Sequence, residues 1–368
     1  MYLNGSSPIL TEMNISGNID RGGMELWNNS NPTMTSTTIS GNSGYNGGGM
    51  RMRDSSPTLN DVTITDNESL NYGGGIYLEY YSQPTLTNVT IKNNSAGEVG
   101  TGGKGGGIYS FLYSGGSLSL EDVNIEKNSA DDGGGIFVFS GGIHTYTNVI
   151  ITGNSATSSG GEGGGIYLYT QQTATLTNVI IVGNSAIHTG GIVLHGMTYT
   201  LSNVAIIGNS GHGIKNYGDN NIIYTTISSN TGDGFYVHSG LPTISYSNFF
   251  NNGLALNNAD NSNIINAENN WWGDASGPYH PTQNAMGQGD SVNTWVNVTP
   301  WLTTPNTDAP PIPAQNLTVT GTGNDFISLN WNTSPLGDLA GYKLYYDSDS
   351  SGYPYANSVD AGTDTSYT

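Results

Sequence analysis

The chain has 368 residues, of which 54 are Gly and 45 are Asn, while charged residues make up only 10%. The 28 acidic residues outnumber the 8 basic ones, and a net charge of −20 argues against nucleic acid and anionic membrane as partners. Cys is absent, which excludes disulfides and thiolate sites, and no apolar run reaches the ~18 residues of a membrane span.

Two short motifs alternate along the first 250 residues. One is Gly-Gly-Gly-Ile followed by an aromatic residue, as at 73–77, 105–109, 133–137 and 163–167. The other is Ile-x-x-Asn or a close variant, which ends at Asn18, Asn42, Asn67, Asn94, Asn128, Asn154, Asn184, Asn209, Asn230 and Asn252. Ten repeats of about 26 residues predict a solenoid built from stacked coils.

Each repeat has the pattern of short strands separated by turns. In the third repeat, Ile76, Leu78, Leu86, Val89 and Ile91 alternate with other residues, so we expect them to point inward. Burying five aliphatic side chains gains roughly 8–15 kcal/mol. Ordering one repeat costs at least ~26 kcal/mol of backbone entropy, so each coil must stack on its neighbours. The sequence therefore predicts an all-β fold: a right-handed, single-stranded parallel β-helix of ten to eleven coils.

One Asn or Asp precedes the third strand of most repeats. Both residue types tolerate the left-handed backbone of a sharp corner, and stacked amides can form a hydrogen-bonded ladder. These corner residues are Asp61, Asn88, Asp122, Asn148, Asn178 and Asn203. Between a ladder Asn and the next glycine-led Ile the spacing varies from 5 to 14 residues, so insertions, and with them binding loops, concentrate at one corner.

The coils resemble pectate-lyase-type β-helix repeats. Their two motifs are similar to those of chlamydial polymorphic membrane proteins, which are surface adhesins, although Ile here replaces the family's Phe. The segment 269–274, Asn-Asn-Trp-Trp-Gly-Asp, resembles the closing motif of bacterial surface β-helix proteins and indicates a Trp-rich cap over about 271–301. These resemblances imply a bacterial protein that is secreted or displayed at the cell surface.

The composition changes after residue 301. We expect a β-helix over 1–301, then a stiff, extended Pro/Thr linker over 302–313. Residues 314–368 contain three alternating strands that resemble the opening strands of a fibronectin type III β-sandwich, with Trp331 as its core Trp. About 55 residues are present where such a domain needs ~90–100, so we expect an incomplete domain and a chain that is part of a longer protein.

A group of ionisable and aromatic residues occupies matching positions on neighbouring coils. By column they are His212 and Asp233, Lys215 and Tyr236, and His195, Tyr217 and His238. An acid, imidazoles, an ammonium group and phenols on one wall could neutralise a uronate and move its C5 proton. They are the catalytic candidates if the protein is a lyase or epimerase that acts on an acidic polysaccharide.

Acidic residues also follow the variable corner. Glu98, Asp131, Asp132 and Glu162 are candidate calcium ligands, because calcium prefers carboxylate oxygens. We expect no other cofactor.

Aromatic residues recur one and three positions after the glycine-led Ile, and the alternation of a strand would make both positions face solvent. They are Trp27, Tyr77, Tyr109, Phe111, Phe137, Phe139, Tyr167, Tyr169, Tyr217 and Tyr236. Two columns of exposed rings suit the apolar faces of sugars. We therefore expect a monomeric, non-catalytic protein that binds a polysaccharide, or a glycan or protein of a cell surface. The opposing interpretation is that the rings only stiffen the exterior, or that loops bury them, and that the β-helix is a spacer.

Overall fold

A computed structural model describes residues 1–98, 100–169, 173–196, 198–323, 325–334, 339–346 and 357–368, without the side chains of residues 140, 315 and 316. Over residues 2–258, strands of successive coils pair in parallel and wind into a right-handed β-helix. The predicted all-β class is confirmed. Within the described ranges, no helix is both long and apolar enough to cross a membrane.

Sheet 1 is formed by the glycine-led strands and carries one strand from each coil. Its strands, in spatial order, are Tyr2–Asn4, Met24–Trp27, Met50–Arg53, Ile76–Tyr80, Ile108–Leu112, Ile136–Ser140, Ile166–Tyr169, Ile192–His195, Ile214–Asn216, Phe235–Val237 and Leu256–Asn258.

Sheet 2 is bent at the corner residues, so that each coil supplies either one long strand or two short ones. Its strands are Ile9–Thr11, Asn14–Ser16, Thr33–Ser40, Thr58–Thr65, Thr85–Lys92, Ser117–Glu121, Asn124–Glu126, Ile143–Thr147, Ile150–Thr152, Ala174–Thr177, Ile180–Val182, Tyr199–Ser202, Ala205–Ile207, Asn221–Ile223, Thr226–Ser228, Thr243–Ser245 and Asn248–Phe250.

Sheet 3 is short and lies at the variable corner. Its strands are Ser43–Asn46, Glu68–Tyr72, Ser95–Ala96, Ser129–Ala130 and Ser155–Ala156. After the β-helix, Ile265–Asn266 pairs with Val296–Asn297. The remaining strands are Gln315–Thr322, Ile327–Asn332 and Ser366–Tyr367 in one antiparallel sheet, and Tyr342–Tyr346 and Asn357–Gly362 in another.

The core runs along the axis of the β-helix. The five residues of the third repeat that were expected to point inward, Ile76, Leu78, Leu86, Val89 and Ile91, are all buried, which confirms the prediction. Their register partners on the next coil are inward-facing too, as in the pairing of Ile76 with Ile108 and of Ile91 with Ile125.

The Ile-x-x-Asn asparagines form a continuous amide ladder through the interior. Asn154 shows the pattern: its Nδ2 donates to Ile125 O at 2.9 Å and to Asn184 Oδ1 at 3.0 Å. Its Oδ1 accepts from the backbone N and the Nδ2 of Asn128 at 2.9 and 3.0 Å. The same side-chain bond recurs at every step from Asn18 to Asn252, so each coil is held in register with the next.

The glycines that precede most sheet 1 strands make room for this ladder. A Cβ on Gly75 would lie 2.7 Å from Gly107 O, 3.0 Å from Ile91 Cγ2 and 3.2 Å from Asn94 Nδ2. Gly73 has a φ of +65°, which favours Gly over residues with a side chain. The Gly-Gly-Gly and Ile-x-x-Asn motifs are therefore two parts of one contact.

The predicted corner residues have left-handed backbones, with φ between 52° and 56° from Asp61 to Asn203. From Asp122 onward their side chains form a second, exposed ladder. Asn148 donates to Asp122 at 3.0 Å, Asn178 to Asn148 at 3.0 Å, and Asn203 to Asn178 at 2.7 Å. Both properties of the corner were predicted from the sequence.

The segment after the last coil closes the end of the β-helix. Trp272 is fully buried and stacks on Phe249 with ring centroids 4.7 Å apart. The Asp290 carboxylate accepts from the backbone N of Asn251 and of Asn252 at 3.0 Å each, so it supplies the acceptor that the final ladder amide would otherwise lack. These contacts cover the end of the last coil, while the extent of the Trp-rich cap over about 271–301 stays a prediction.

The segment predicted as a linker contacts the β-helix. Asn306 N donates to Asn248 Oδ1 at 2.8 Å, and Asn248 Nδ2 returns a bond to Asn306 O at 3.0 Å. Thr226 Oγ1 also donates to Pro310 O. Beyond this segment Trp331 is buried against Tyr342, with ring centroids 5.5 Å apart. Trp331 is thus a core residue, while the fibronectin type III resemblance stays a prediction.

The amide ladder gives a first test of the fold. Asn154→Ala removes the acceptor of Asn128 N and of one Asn128 Nδ2 hydrogen, and the donor to Ile125 O, so we expect a loss of about 3 kcal/mol in the free energy of unfolding. Urea unfolding followed by circular dichroism measures the loss. Asn263→Ala, at an exposed position, is the matched control. Equal midpoints for the two variants would contradict a structural role for the ladder.

A buried His predicts how stability depends on pH. His144 faces the core, and burial lowers its pKa from 6.5 to about 4, an effect that contact with the Gly141 backbone only partly offsets. Below pH 6.5 His144 binds a proton in the unfolded chain, whereas the buried His144 of the folded chain stays neutral down to about pH 4. Stability should therefore fall by about 1.4 kcal/mol for each pH unit between these two values.

The measurement is urea unfolding of the wild type and of His144→Leu between pH 7.5 and pH 4. The variant should lose this part of the pH dependence, because Leu has no titratable group. Leu also fits this position, since Leu118 occupies it on the preceding coil. His188→Gln, at an exposed position, should keep the wild-type slope. Parallel profiles for wild type and His144→Leu would contradict the prediction.

Candidate functional site

The outward face of sheet 1 carries a continuous aromatic strip of ten side chains. In spatial order these are Trp27, Arg53, Tyr80, Tyr113, Phe111, Phe139, Tyr169, His195, Tyr217 and His238. Each ring centroid, or the guanidinium carbon of Arg53, lies 4.4–5.9 Å from the next. None of the ten is buried, and Tyr113, Phe139, Tyr169 and His238 are exposed.

The second predicted column behaves differently. Tyr77, Tyr109 and Phe137 were expected to face solvent, but they are only 8%, 7% and 4% exposed, so that expectation is wrong for these three. They stack on one another at 5.4 and 5.7 Å, and Tyr72 covers Tyr109 at 4.7 Å. Burial raises the pKa of Tyr77 and of Tyr109. Together with the half-buried Tyr167, these residues form an inner column that supports the strip.

Cations concentrate against these rings, although the chain as a whole is acidic. The Arg51 guanidinium lies 5.4 Å from the Trp27 ring and 5.5 Å from the Tyr77 ring, and Lys104 Nζ lies 4.7 Å from Phe137. Lys215 Nζ lies 5.3 Å from Tyr217. With Arg53, half of the eight basic residues contact a ring of this face. Cation–π attraction holds these groups in place.

The predicted catalytic candidates do come together on sheet 1, in the columns expected. Lys215 pairs in register with Tyr236, and the ring of Tyr217 lies 4.4 Å from His195 and 4.5 Å from His238. Lys215 also forms an ion pair with Glu162, which the sequence did not reveal as its partner. Burial opposes the charge on Lys215, but the hydrogen bonds to Glu162 and Tyr217 and the charges of these two groups together outweigh burial and raise the Lys215 pKa.

His212 and Asp233 are adjacent, as predicted. His212 Nδ1 accepts a hydrogen bond from the Asp233 backbone N at 3.0 Å and lies 3.7 Å from Asp233 Oδ2. The imidazole also stacks on Tyr236 with centroids 4.7 Å apart. Burial lowers the pKa of His212, and Asp233 only partly opposes this effect. The bond from the backbone N requires an unprotonated Nδ1, so a neutral His212 carries its proton on Nε2.

The Asp233 carboxylate is already satisfied by protein donors. Its Oδ1 accepts from Leu254 N at 3.1 Å, and its Oδ2 accepts from Asn257 Nδ2 at 2.8 Å. The charged side chains of the cluster, Asp233 and Lys215, therefore both have partners within the protein.

The calcium candidates likewise have protein partners. Asp131 accepts from Gly100 N at 2.8 Å and from Gly102 N at 2.6 Å, and Asp132 Oδ2 lies 2.7 Å from Lys104 Nζ. Glu162 pairs with Lys215. Across the described ranges, Glu98 and these three residues do not assemble into a group of three or more ligands that could hold a metal ion. Their proposed role in calcium binding stays a prediction without a formed site.

A groove lies beside the cluster at the variable corner. Asn154 and Ile166 are 12 residues apart, Asn184 and Ile192 are 8 apart, and Asn209 and Ile214 only 5, so the corner loops shorten over two coils and leave a step. The open concavity at this step has a volume of 670 Å³. Its lining includes Ser185, His188, Ser210, His212 and Thr231, so His212 belongs to both the groove and the cluster.

Sequence reasoning missed three members of the strip. Arg53 occupies the same register position as Trp27, three residues after the inward Met50. It was missed because only aromatic residues were considered at this position. Tyr80 is the last residue of a longer strand and Tyr113 follows another one directly, so both lie outside the positions that were scanned. Searching for any planar side chain near the end of each sheet 1 strand would have found all three.

Comparison with protein-family models matches a right-handed beta helix region to residues 1–142 and again to residues 106–271, which together make up most of the chain. The chain belongs to the right-handed beta helix family. No curated protein and no solved structure matches it. Membership of the right-handed beta helix family gives the fold; the resemblances to pectate-lyase-type repeats and to chlamydial polymorphic membrane proteins stay predictions.

The two columns differ in a way that mutation can test. Phe137→Ala should cost about 3 kcal/mol in the free energy of unfolding, because Phe137 is buried between Tyr109 and Tyr167. Tyr169→Ala removes a ring that is 41% exposed and should cost under about 1 kcal/mol. Urea unfolding of both variants measures the difference, and a larger loss for Tyr169→Ala would contradict the division into support and surface.

Proposed function

We propose that this protein binds a linear glycan along the aromatic strip, without turning it over, as an extracellular or cell-surface adhesin-like protein. The single observation that carries the proposal is the continuity of the strip. Nine sheet 1 strands, from Met24–Trp27 to Phe235–Val237, contribute to it, which at ~4.8 Å per coil gives a track about 38 Å long.

The chemistry of the strip suits sugars. Sugar rings have apolar faces that pack on aromatic rings, while their hydroxyl groups need hydrogen-bonding partners at the rim. The middle of the strip, Phe111, Phe139 and Tyr169, offers flat apolar surface. The end at His195, Tyr217 and His238 offers imidazole nitrogens and a phenol. Rings held by stacking on their neighbours lose little side-chain entropy on binding, which favours affinity.

The arrangement of charges supports binding over catalysis. A base that removes a sugar proton must be free to accept it, and a residue that neutralises a uronate must offer unpaired positive charge. Here Lys215 is paired with Glu162, and the Asp233 oxygens accept from Leu254 and Asn257. A lyase or epimerase remains the second candidate because His212, Asp233 and Tyr236 are in contact. Release of unsaturated sugars from an acidic polysaccharide would favour that candidate.

The test is a glycan-binding measurement on the double variant Tyr169→Ala/Tyr217→Ala. Loss of two rings on which sugars would pack should weaken binding at least about tenfold, since one stacking contact contributes on the order of 1 kcal/mol. Screening on a glycan array followed by calorimetry on the best linear oligosaccharide gives the affinity. Thermal unfolding checks that the double variant remains folded.

Tyr45→Ala is the matched control, because Tyr45 is 64% exposed and lies in the Ser43–Asn46 strand of sheet 3, away from the strip. It should bind as the wild type does. If the double variant also keeps wild-type affinity, or if the wild type binds no glycan, the strip is an architectural feature and the proposal is wrong.

A further inference from the structure

The groove at the variable corner lies beside the strip, and none of the ten strip residues is among the residues that line it. Asp233 lies two residues before the strand Phe235–Val237, and His238 follows it directly, so five residues, or about 16 Å of extended chain, separate the two. Tyr236 lies between these positions, and His212, stacked on Tyr236, lines the groove. A path of polar and aromatic side chains therefore leads from the strip into the groove.

The groove differs chemically from the rest of this acidic molecule. Among the described residues that line it, none carries a carboxylate, although the chain has a net charge of −20. Instead it presents two imidazoles, His188 and His212, and the hydroxyl-bearing residues Ser185, Ser210 and Thr231. Because His212 Nδ1 is occupied by the Asp233 backbone N, its Nε2–H is the ring donor that remains for a ligand.

The carboxylates near His212, those of Asp233 and Glu162, bind other groups of the protein. Asp233 accepts from Leu254 and Asn257, and Glu162 pairs with Lys215, so both carboxylates have protein partners, and neither lines the groove. His188 is exposed, and its backbone O accepts from His212 N at 2.8 Å, so the two imidazole residues are tied together at the edge of the step.

We propose that the groove is a second subsite, which receives an acidic branch of the glycan whose backbone lies on the strip. The inference rests on the proposed function, since it needs a chain bound beside the groove. A branch that carries a carboxylate would accept hydrogen bonds from the imidazoles and from the hydroxyl groups of the floor. A polymer without branches would leave the groove empty and bind through the strip alone.

The test compares polysaccharides that share a backbone and differ in branching. One set is unbranched xylan, arabinoxylan with neutral branches, and glucuronoxylan with acidic branches; the other is cello-oligosaccharide, xyloglucan and xanthan. In a set that the protein binds, wild type should prefer the acid-branched member about tenfold or more over both others, as expected for hydrogen bonds to a charged group.

His188→Ala is the first variant, because this exposed side chain can be removed without disturbing the core. It should abolish most of the preference for the acid-branched member and leave the affinity for the unbranched member unchanged. His212→Asn is the second variant and should also reduce the preference. Thermal unfolding shows whether each variant remains folded.

Two negative results have different meanings. If the wild type binds unbranched and acid-branched members equally, or if His188→Ala weakens both to the same extent, the groove is no branch subsite, while the strip still binds glycan. If the wild type binds no member of either set and no glycan on the array, the proposed function fails and the branch subsite fails with it.

Discussion

The buried amide ladder is the interaction on which the rest of this molecule depends. Each coil is too small to fold alone, so its position is set by the coil beside it. An Asn side chain that donates to the next Asn and to an Ile carbonyl can be satisfied in only one register, since a shift by one residue would bury unpaired amides. Glycines such as Gly75 let the backbone approach closely enough for the ladder to form. Asp290 then ends the ladder at the final Asn, where no further coil could supply an acceptor.

Fixed register has a direct consequence for the outer surface. Residues at the same position in successive coils become neighbours ~4.8 Å apart, and this spacing is close to the contact distance of two aromatic rings. Planar side chains that recur once in each coil therefore stack without strain, as Phe139 and Tyr169 do. The same geometry brings Lys215 beside Tyr236 and His212 beside Asp233. A repeated sequence thus becomes a long ordered surface, and where corner loops shorten, a groove opens next to it.

Much of this could be predicted from the sequence, because repeat periodicity converts position along the chain into position in space. The inward residues, the left-handed corners and the columns of candidate residues follow from counting alone. The burial of Tyr77, Tyr109 and Phe137 could not be predicted, because it depends on Tyr72 and on neighbouring rings that cover them. The Lys215–Glu162 ion pair could not be predicted from repeat positions either, because it joins residues two coils apart across the corner. Side-chain direction and loop placement, rather than register, limited the prediction.

The central claim is that the outward face of sheet 1 is a track for a linear glycan. A crystal structure of the protein soaked with the best-binding linear oligosaccharide tests this claim most directly. We expect sugar rings packed on the strip near Phe139, Tyr169 and Tyr217, with the glycan running along the axis of the β-helix. Sugar bound at sheet 2, at sheet 3 or only at the cap, with the strip unoccupied, would contradict it.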